Sequence, residues 1–230
     1  MKKWYYFYTP DYEFWHRHLQ NSLRDYFELK PILVNPDRLR INEGEGHHFQ
    51  GCPIKLELLI DCISANLGDS ILFSDCTLVV CKERVCDLEV YMRSLSGTVD
   101  LVFAENAIDR DVNIGLILIQ CNQRTLTFWK RVYAAFKEDA WDQQLVNRML
   151  CSHRYLRFLS RPGVTWSTFD GSLIVCGYHF KEEHRSDYYL YKQFIHSGTR
   201  NSNWNQRLKF LHESGFLSEE EVSANLREGT

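Results

Sequence analysis

Residues 71–80 read ILFSDCTLVV, two apolar runs, Ile71 to Phe73 and Leu78 to Val80, separated by Ser74, Asp75, Cys76 and Thr77. A short apolar run bounded by the turn-forming NLGDS is the pattern of a strand buried on both faces, as in a parallel sheet covered by helices. An unpaired carboxylate in the middle of such a strand would be costly. Asp75 is therefore expected at the strand's carboxyl end, facing a crevice.

The flanking sequence fits that architecture. WYYFYT reads as an opening strand, DYEFWHRHLQNSLRDYF has helical spacing with Asp11 as its N-cap, and KPILVN is a second strand. INEGEGHHFQG has loop composition. CPIKLELLIDCISANLG then predicts a helix opened by Pro53 and closed by Gly68, leading into the run at 71–80. VCDLEVYMRSLSG predicts a helix, and TVDLVFA and DVNIGLILIQ predict strands. RTLTFWKRVYAAFKED sets Leu126, Trp129, Val132 and Phe136 at helical spacing, and WDQQLVNRML continues as a second short helix. Short strands and turns follow, then NWNQRLKFLHESGF and an acidic end, both helical. With 230 residues, 44% of them hydrophobic, and no repeat or linker, the chain is expected to form one α/β domain. Its central sheet should be mixed, mainly parallel and flanked by helices, with ligands gathering at the carboxyl ends of the strands.

Composition removes other classes. A formal net charge of -3 supplies no field for nucleic acid, so an anionic ligand must be held by local groups. The 8 cysteines lie in apolar segments and form no CxxC pair, which favours reduced, buried thiols over a disulfide framework or a zinc site. The basic, aromatic start runs into Pro10 and Asp11 too soon for a signal peptide, no stretch is long enough for a transmembrane segment, and there is no N-x-S/T sequon. The expectation is a soluble, cytoplasmic protein.

Four motifs in order, the strand-ending Asp75, NIG at 113–115, WDQ at 141–143 and HSG at 196–198, resemble the retaining glycosyltransferases of the A-type (GT-A) fold. Those enzymes move a sugar from a nucleotide diphosphate and carry a DxD motif. The resemblance runs from YYFYT to HSGTR and implies a single GT-A domain. Residues 1–110 would be its nucleotide-sugar-binding half and 111–230 its acceptor-side half. It implies a hexosyl- or pentosyltransferase acting on a UDP- or GDP-sugar and a carbohydrate or glycoconjugate acceptor.

The resemblance also assigns residues. Asp75 matches the first DxD carboxylate, but the second is replaced by Thr77, a neutral hydroxyl and a poorer cation ligand. Three outcomes follow: a weakened Mn²⁺ or Mg²⁺ site using Asp75, Thr77 and His196, a metal-independent enzyme relying on basic groups, or a catalytically inactive sugar-nucleotide-binding or scaffold module. Asn113 and Gly115 match a segment beside the transferred sugar. Asp142 would bind sugar or acceptor hydroxyls and Gln143 would lie beneath the reacting carbon. Gly198 would admit the backbone close to ligand and Arg200 would pair with phosphate. Tyr8, Thr9 and Pro10, after the first strand, would hold base and ribose, and Lys55 would lie near the phosphates or donor sugar.

Each position also has a local structural account. Asn and Gly suit a turn at the start of a strand, Asp142 suits the first turn of a helix, and WYYFY is what a hydrophobic strand looks like. His196 is one of 9 histidines, and Lys55 could be an exposed helix lysine. Asp109 and Asp111 have DxD spacing but precede a different strand, although Asp111 could contact sugar hydroxyls. The histidines of HHF at 47–49 and of YHFKEEHRSDYYLYK fit no closed zinc set. The latter segment could instead offer aromatic platforms to sugar rings.

Overall fold

A computed structural model describes residues 1–39, 51–105, 111–136, 141–150, 163–176, 184, 187–192, 200–213, 215 and 217–226. Strand β1 (Lys3–Tyr8) alternates aromatic side chains between two faces and pairs in parallel with both β2 (Glu28–Leu33) and β3 (Ser70–Asp75). β3 pairs antiparallel with β6 (Val112–Gln120), which pairs antiparallel with β5 (Leu101–Glu105), and β5 pairs in parallel with β7 (Trp166–Thr168). The order is β2-β1-β3-β6-β5-β7, and β6 alone runs against the other strands. This is the mixed, mainly parallel sheet that the sequence predicts. A smaller sheet joins β4 (Val79–Val80), β9 (Leu190–Lys192) and β8 (Ile174–Cys176) in the order β4-β9-β8.

Helices cover both faces because the central strands are apolar on both sides. On one face α1 (Glu13–Leu23), α3 (Val85–Ser94) and α6 (Arg200–Glu213) bury Trp15, Leu19, Leu88, Met92, Trp204 and Leu208 against Trp4, Tyr6 and Leu72. On the other, α2 (Gly51–Ala65), α4 (Gln123–Ala135) and α5 (Asp142–Leu150) bury Leu59, Ile63, Trp129, Val132 and Val146 against Phe73, Phe103 and Ile117. A short α7 (Glu219–Ser223) closes the described chain with a Ser218–Glu221 capping box. No helix among the described residues is long and apolar enough to cross a membrane.

Several boundaries differ from the sequence expectation, each for a local reason. The strand that begins at Ser70 ends where expected. β3 stops at Asp75, and Val79–Val80 belongs to the smaller sheet. Asp11 does not cap α1, because it accepts the Thr9 hydroxyl while Pro10–Tyr12 forms a 3-10 turn that carries the chain to Glu13. α2 starts at Gly51, two residues before Pro53, which still sits in the first turn where its missing N–H costs nothing. α4 is capped by Asn122, whose side chain accepts the N–H groups of Arg124 and Thr125. Gly68 takes φ +94 in the turn from α2 to β3, a left-handed conformation suited to glycine, and donates its N–H to the Cys121 carbonyl.

Candidate active site

Parallel pairing sets Asp75 level with Phe7, so the carboxyl ends of β1 and β3 share one edge of the sheet. Alternation along β3 turns Phe73 and Asp75 toward the α2 face, and there Lys55 Nζ donates to Asp75 Oδ1 at 2.8 Å. The lysine side chain is only 9% exposed and the carboxylate 30%. A buried ammonium is tolerable only beside an anion, so Asp75 is what allows Lys55 to lie inside. The pair puts a fixed cation at the end of a central strand, on the edge where ligands bind in such sheets.

The donor types at this place suit a hard cation, with the Asp75 carboxylate and, two residues on, the Thr77 hydroxyl. The charge suits it less, because Lys55 already balances Asp75. Among the described residues no group of three or more histidine, cysteine or acidic side chains is assembled. These residues therefore fit a divalent ion in company with further anionic oxygens, such as those of a diphosphate.

The antiparallel β6 brings the second group. Ser74 pairs with Leu116, so Asp75 and Gly115 are the next residues along β3 and β6. Between β5 and β6 the register jumps: Phe103 faces Ile117, yet Ala104 faces Asn113, leaving Ile114, Gly115 and Leu116 as a bulge in β6. Asn113 Oδ1 accepts the Gly115 N–H at 2.8 Å, satisfying a bulge donor, and its Nδ2 donates to Gln143 Oε1 at 3.0 Å. Gln143 lies one residue into α5, where Asp142 Oδ1 accepts the Gln143 N–H at the positive end of the helix. Asn113, Asp142 and Gln143 are all buried.

Asn147 locks this arrangement and was not anticipated. Its amide accepts from the Val112 N–H at 2.8 Å and donates to the Val112 carbonyl at 2.9 Å, so α5 pairs with the start of β6 as another strand would. The available signal was an amide one helical turn after Gln143 on the apolar face of α5.

Tyr8 ends β1 and is partly exposed, while Thr9 is buried and its carbonyl accepts the Tyr12 N–H. The Tyr8 ring stacks on His16 of α1, another residue the sequence did not single out. Asp111 immediately precedes β6. Residue 200 begins α6, and the Arg200 side chain is not described. His196, Gly198, Asp109 and the histidines at 47 and 48 lie outside the described residues. The structure thus brings Tyr8, Asp75 and Lys55, and Asn113, Gly115, Asp142 and Gln143, to the meeting of β1, β3, β6 and α5.

A family model for nucleotide-diphospho-sugar transferases matches residues 72–201, more than half of the chain and the span that holds Asp75, Asn113 and Gln143. The chain belongs to that family. The fold of this transferase matches that of a glycosyltransferase involved in glycosylating the major capsid of PBCV-1, with TM-score 0.60 over 94% of this chain and 98% of that one at 13% identity. The galactosyltransferase LgtC, solved with donor and acceptor sugar analogues, gives TM-score 0.51 over 97% and 100% at 12% identity. The apo form of GlyE from Streptococcus pneumoniae TIGR4 gives 0.54 over 98% and 62% at 14% identity. No curated protein sequence matches. At these identities the likeness is one of fold, and it agrees with the GT-A architecture expected from the sequence.

Proposed function

We propose that the protein transfers a hexosyl or pentosyl group from a UDP- or GDP-sugar to a hydroxyl of a carbohydrate or glycoconjugate, with retention at the anomeric carbon. The observation that carries this reading is the Lys55–Asp75 pair at the carboxyl end of β3, one residue past the strand pairing that adjoins the Gly115 bulge. A sugar nucleotide needs a fixed cation for its diphosphate and amide or carboxylate groups for its sugar, and this edge supplies both kinds. Residues 1–110 form the donor side of this proposal and 111–230 the acceptor side. The proposal includes a cytoplasmic setting.

In the proposed reaction the bond from the anomeric carbon to the diphosphate oxygen breaks, and the acceptor oxygen bonds to that carbon on the same face. The acceptor's proton passes to the departing diphosphate, so no protein nucleophile is consumed. Lys55 holds positive charge where the leaving group becomes more anionic, and a preorganised cation needs no reorganisation to do so. Gln143, fixed by Asn113, lies beneath the reacting carbon, and Asp142 orients sugar hydroxyls. A bound Mn²⁺ or Mg²⁺, held by Asp75 and Thr77 with His196, would add charge neutralisation on the diphosphate. Gly115 and Gly198 leave room for the donor, Arg200 pairs with phosphate, and Tyr8 and Thr9 bracket the base and ribose.

One observation favours a second reading, a sugar-nucleotide-binding module without turnover: Thr77 stands where a second carboxylate would hold the cation. Nucleotide release from a panel of UDP- and GDP-sugars, with and without Mn²⁺, separates the two. Release that depends on one donor supports transfer, whereas tight binding of a donor without release supports the module. Absence of both binding and release from every donor overturns the proposal.

A further inference from the structure

The Tyr8 and His16 rings are parallel, with centroids 4.1 Å apart and planes within 2° of each other. His16 is fixed in turn, because its Nδ1 lies 2.9 Å from the hydroxyl of fully buried Tyr6. Burial raises the Tyr6 hydroxyl well above its ordinary range, so it keeps its proton while it shares a hydrogen bond with Nδ1. Burial also lowers the His16 pKa, which favours the neutral ring. The chain of contacts runs from an immobile core tyrosine, through an oriented imidazole on α1, to the partly exposed ring at the end of β1. A tyrosine with two free torsions would lose rotamer entropy on meeting a flat ligand, and a ring already clamped has lost it beforehand.

We propose that His16 is a positioning residue for nucleotide binding. It holds the Tyr8 ring as a rigid platform on which the base of the sugar nucleotide stacks, giving a three-layer order of imidazole, phenol and nucleobase. The inference rests on the reading of Tyr8 as the nucleobase site. It adds that the platform's stiffness, set from α1, contributes to affinity. His16 touches no ligand and acts through Tyr8 alone.

The test is calorimetric titration of the full chain with UDP and with GDP. Loss of a base-stacking ring weakens single-base binding about tenfold or more, so Tyr8→Ala should do so for the nucleotide the protein prefers. His16→Ala should weaken it about three- to fivefold with kcat for donor hydrolysis unchanged, and His16→Phe, which keeps a stacking face, should recover most of the loss. In a Tyr8→Ala background His16→Ala should change nothing further, because there is no ring left to hold. An equal His16→Ala effect in that background, or no effect in the wild-type background, overturns the inference while leaving the nucleobase site standing. Unchanged affinity in Tyr8→Ala overturns both. A fall in kcat with unchanged affinity in His16→Ala shows a general structural role and overturns the inference as well.

Discussion

Two aspartates at opposite ends of the central sheet each meet a basic side chain, and they do so in reverse fashion. Asp100 lies just ahead of β5 and its side chain is 3% exposed, while its partner Arg124, at 2.7 Å, is 66% exposed. Its carboxylate also accepts from Asn122 Nδ2, the Thr165 N–H and the Thr165 hydroxyl, tying the start of β5 to the starts of α4 and β7. At the other edge the cation is inside and the acid partly outside. An acid that joins elements is enclosed by donors from those elements. Asp75 leaves a face toward solvent and keeps its counter-charge buried behind it. The same charge pair is thus a joint at one end of the sheet and a presented electrostatic group at the other.

The sharpest way to break this contrast is to neutralise each acid without changing its shape. Asp75→Asn should lower donor hydrolysis or transfer by about a thousandfold, the scale of losing a preorganised electrostatic group. Its carbonyl still accepts from Lys55, but the enclosed ammonium loses its counter-charge, so stability falls as well and the rate is read per folded molecule. Asp100→Asn should leave the rate alone. Replacing an acceptor by an amide that faces two Thr165 donors and Arg124 should cost about 3 kcal/mol of stability, read by urea denaturation, with turnover per folded molecule unchanged. Full activity in Asp75→Asn would remove the functional half of the comparison, and wild-type stability in Asp100→Asn the structural half.

Legibility of these two sites in the sequence differs for the same physical reason. Asp75 stood out because it interrupts an apolar run, and a strand covered on both faces cannot hold an unpaired carboxylate. Burial of a charge leaves a local mark of that kind. Asp100 left none, since TVD before an apolar run is ordinary turn composition and its partners Arg124 and Thr165 lie far along the chain. The strands and helices were readable wherever apolar periodicity was strong, as in β6 and α4. Boundaries set by side-chain competition were not, and the Thr9 hydroxyl drew Asp11 away from its expected cap. The Asn113 to Gly115 bond spans two residues and is visible as N-x-G, whereas the Asn113 to Gln143 bond needs the fold to bring β6 and α5 together.

Acid titration sharpens the structural half. His18 is on the buried face of α1, and desolvation, aided by Lys82 and opposed by Glu221, pushes its pKa down to about 4 from an ordinary 6.5. The unfolded chain therefore binds a proton between pH 6.5 and about 4 that the folded protein refuses, and stability falls as pH drops through that window. The loss is on the order of 3 kcal/mol for a group so fully enclosed. Asp100 acts lower. Its hydrogen bonds from Thr165, Arg124 and Asn122 outweigh the opposing effect of burial and hold its pKa below the usual 3.8, so its contribution is intact above about pH 4 and is lost as pH falls through the folded value. Thermal melts against pH should show both slopes. His18→Leu should flatten the upper window and leave the lower one, and Asp100→Asn should do the opposite.

The smallest expected effect concerns the presented acid. Because Lys55 balances Asp75, a divalent ion should gain little from this edge alone and more once a diphosphate adds its oxygens. Binding of UDP or GDP should therefore tighten about fivefold in the presence of Mn²⁺, while Mn²⁺ alone gives no measurable heat at the same concentrations. By linkage the nucleotide must strengthen Mn²⁺ by the same factor. Lys55→Met should enlarge that coupling, since it removes one positive charge beside Asp75 and raises the demand for another cation. Nucleotide affinity that ignores chelator in both wild type and Lys55→Met would mean that the lysine, with other basic groups, is the whole of the positive charge the diphosphate meets. The edge carrying Asp75 would then work as a metal-independent site.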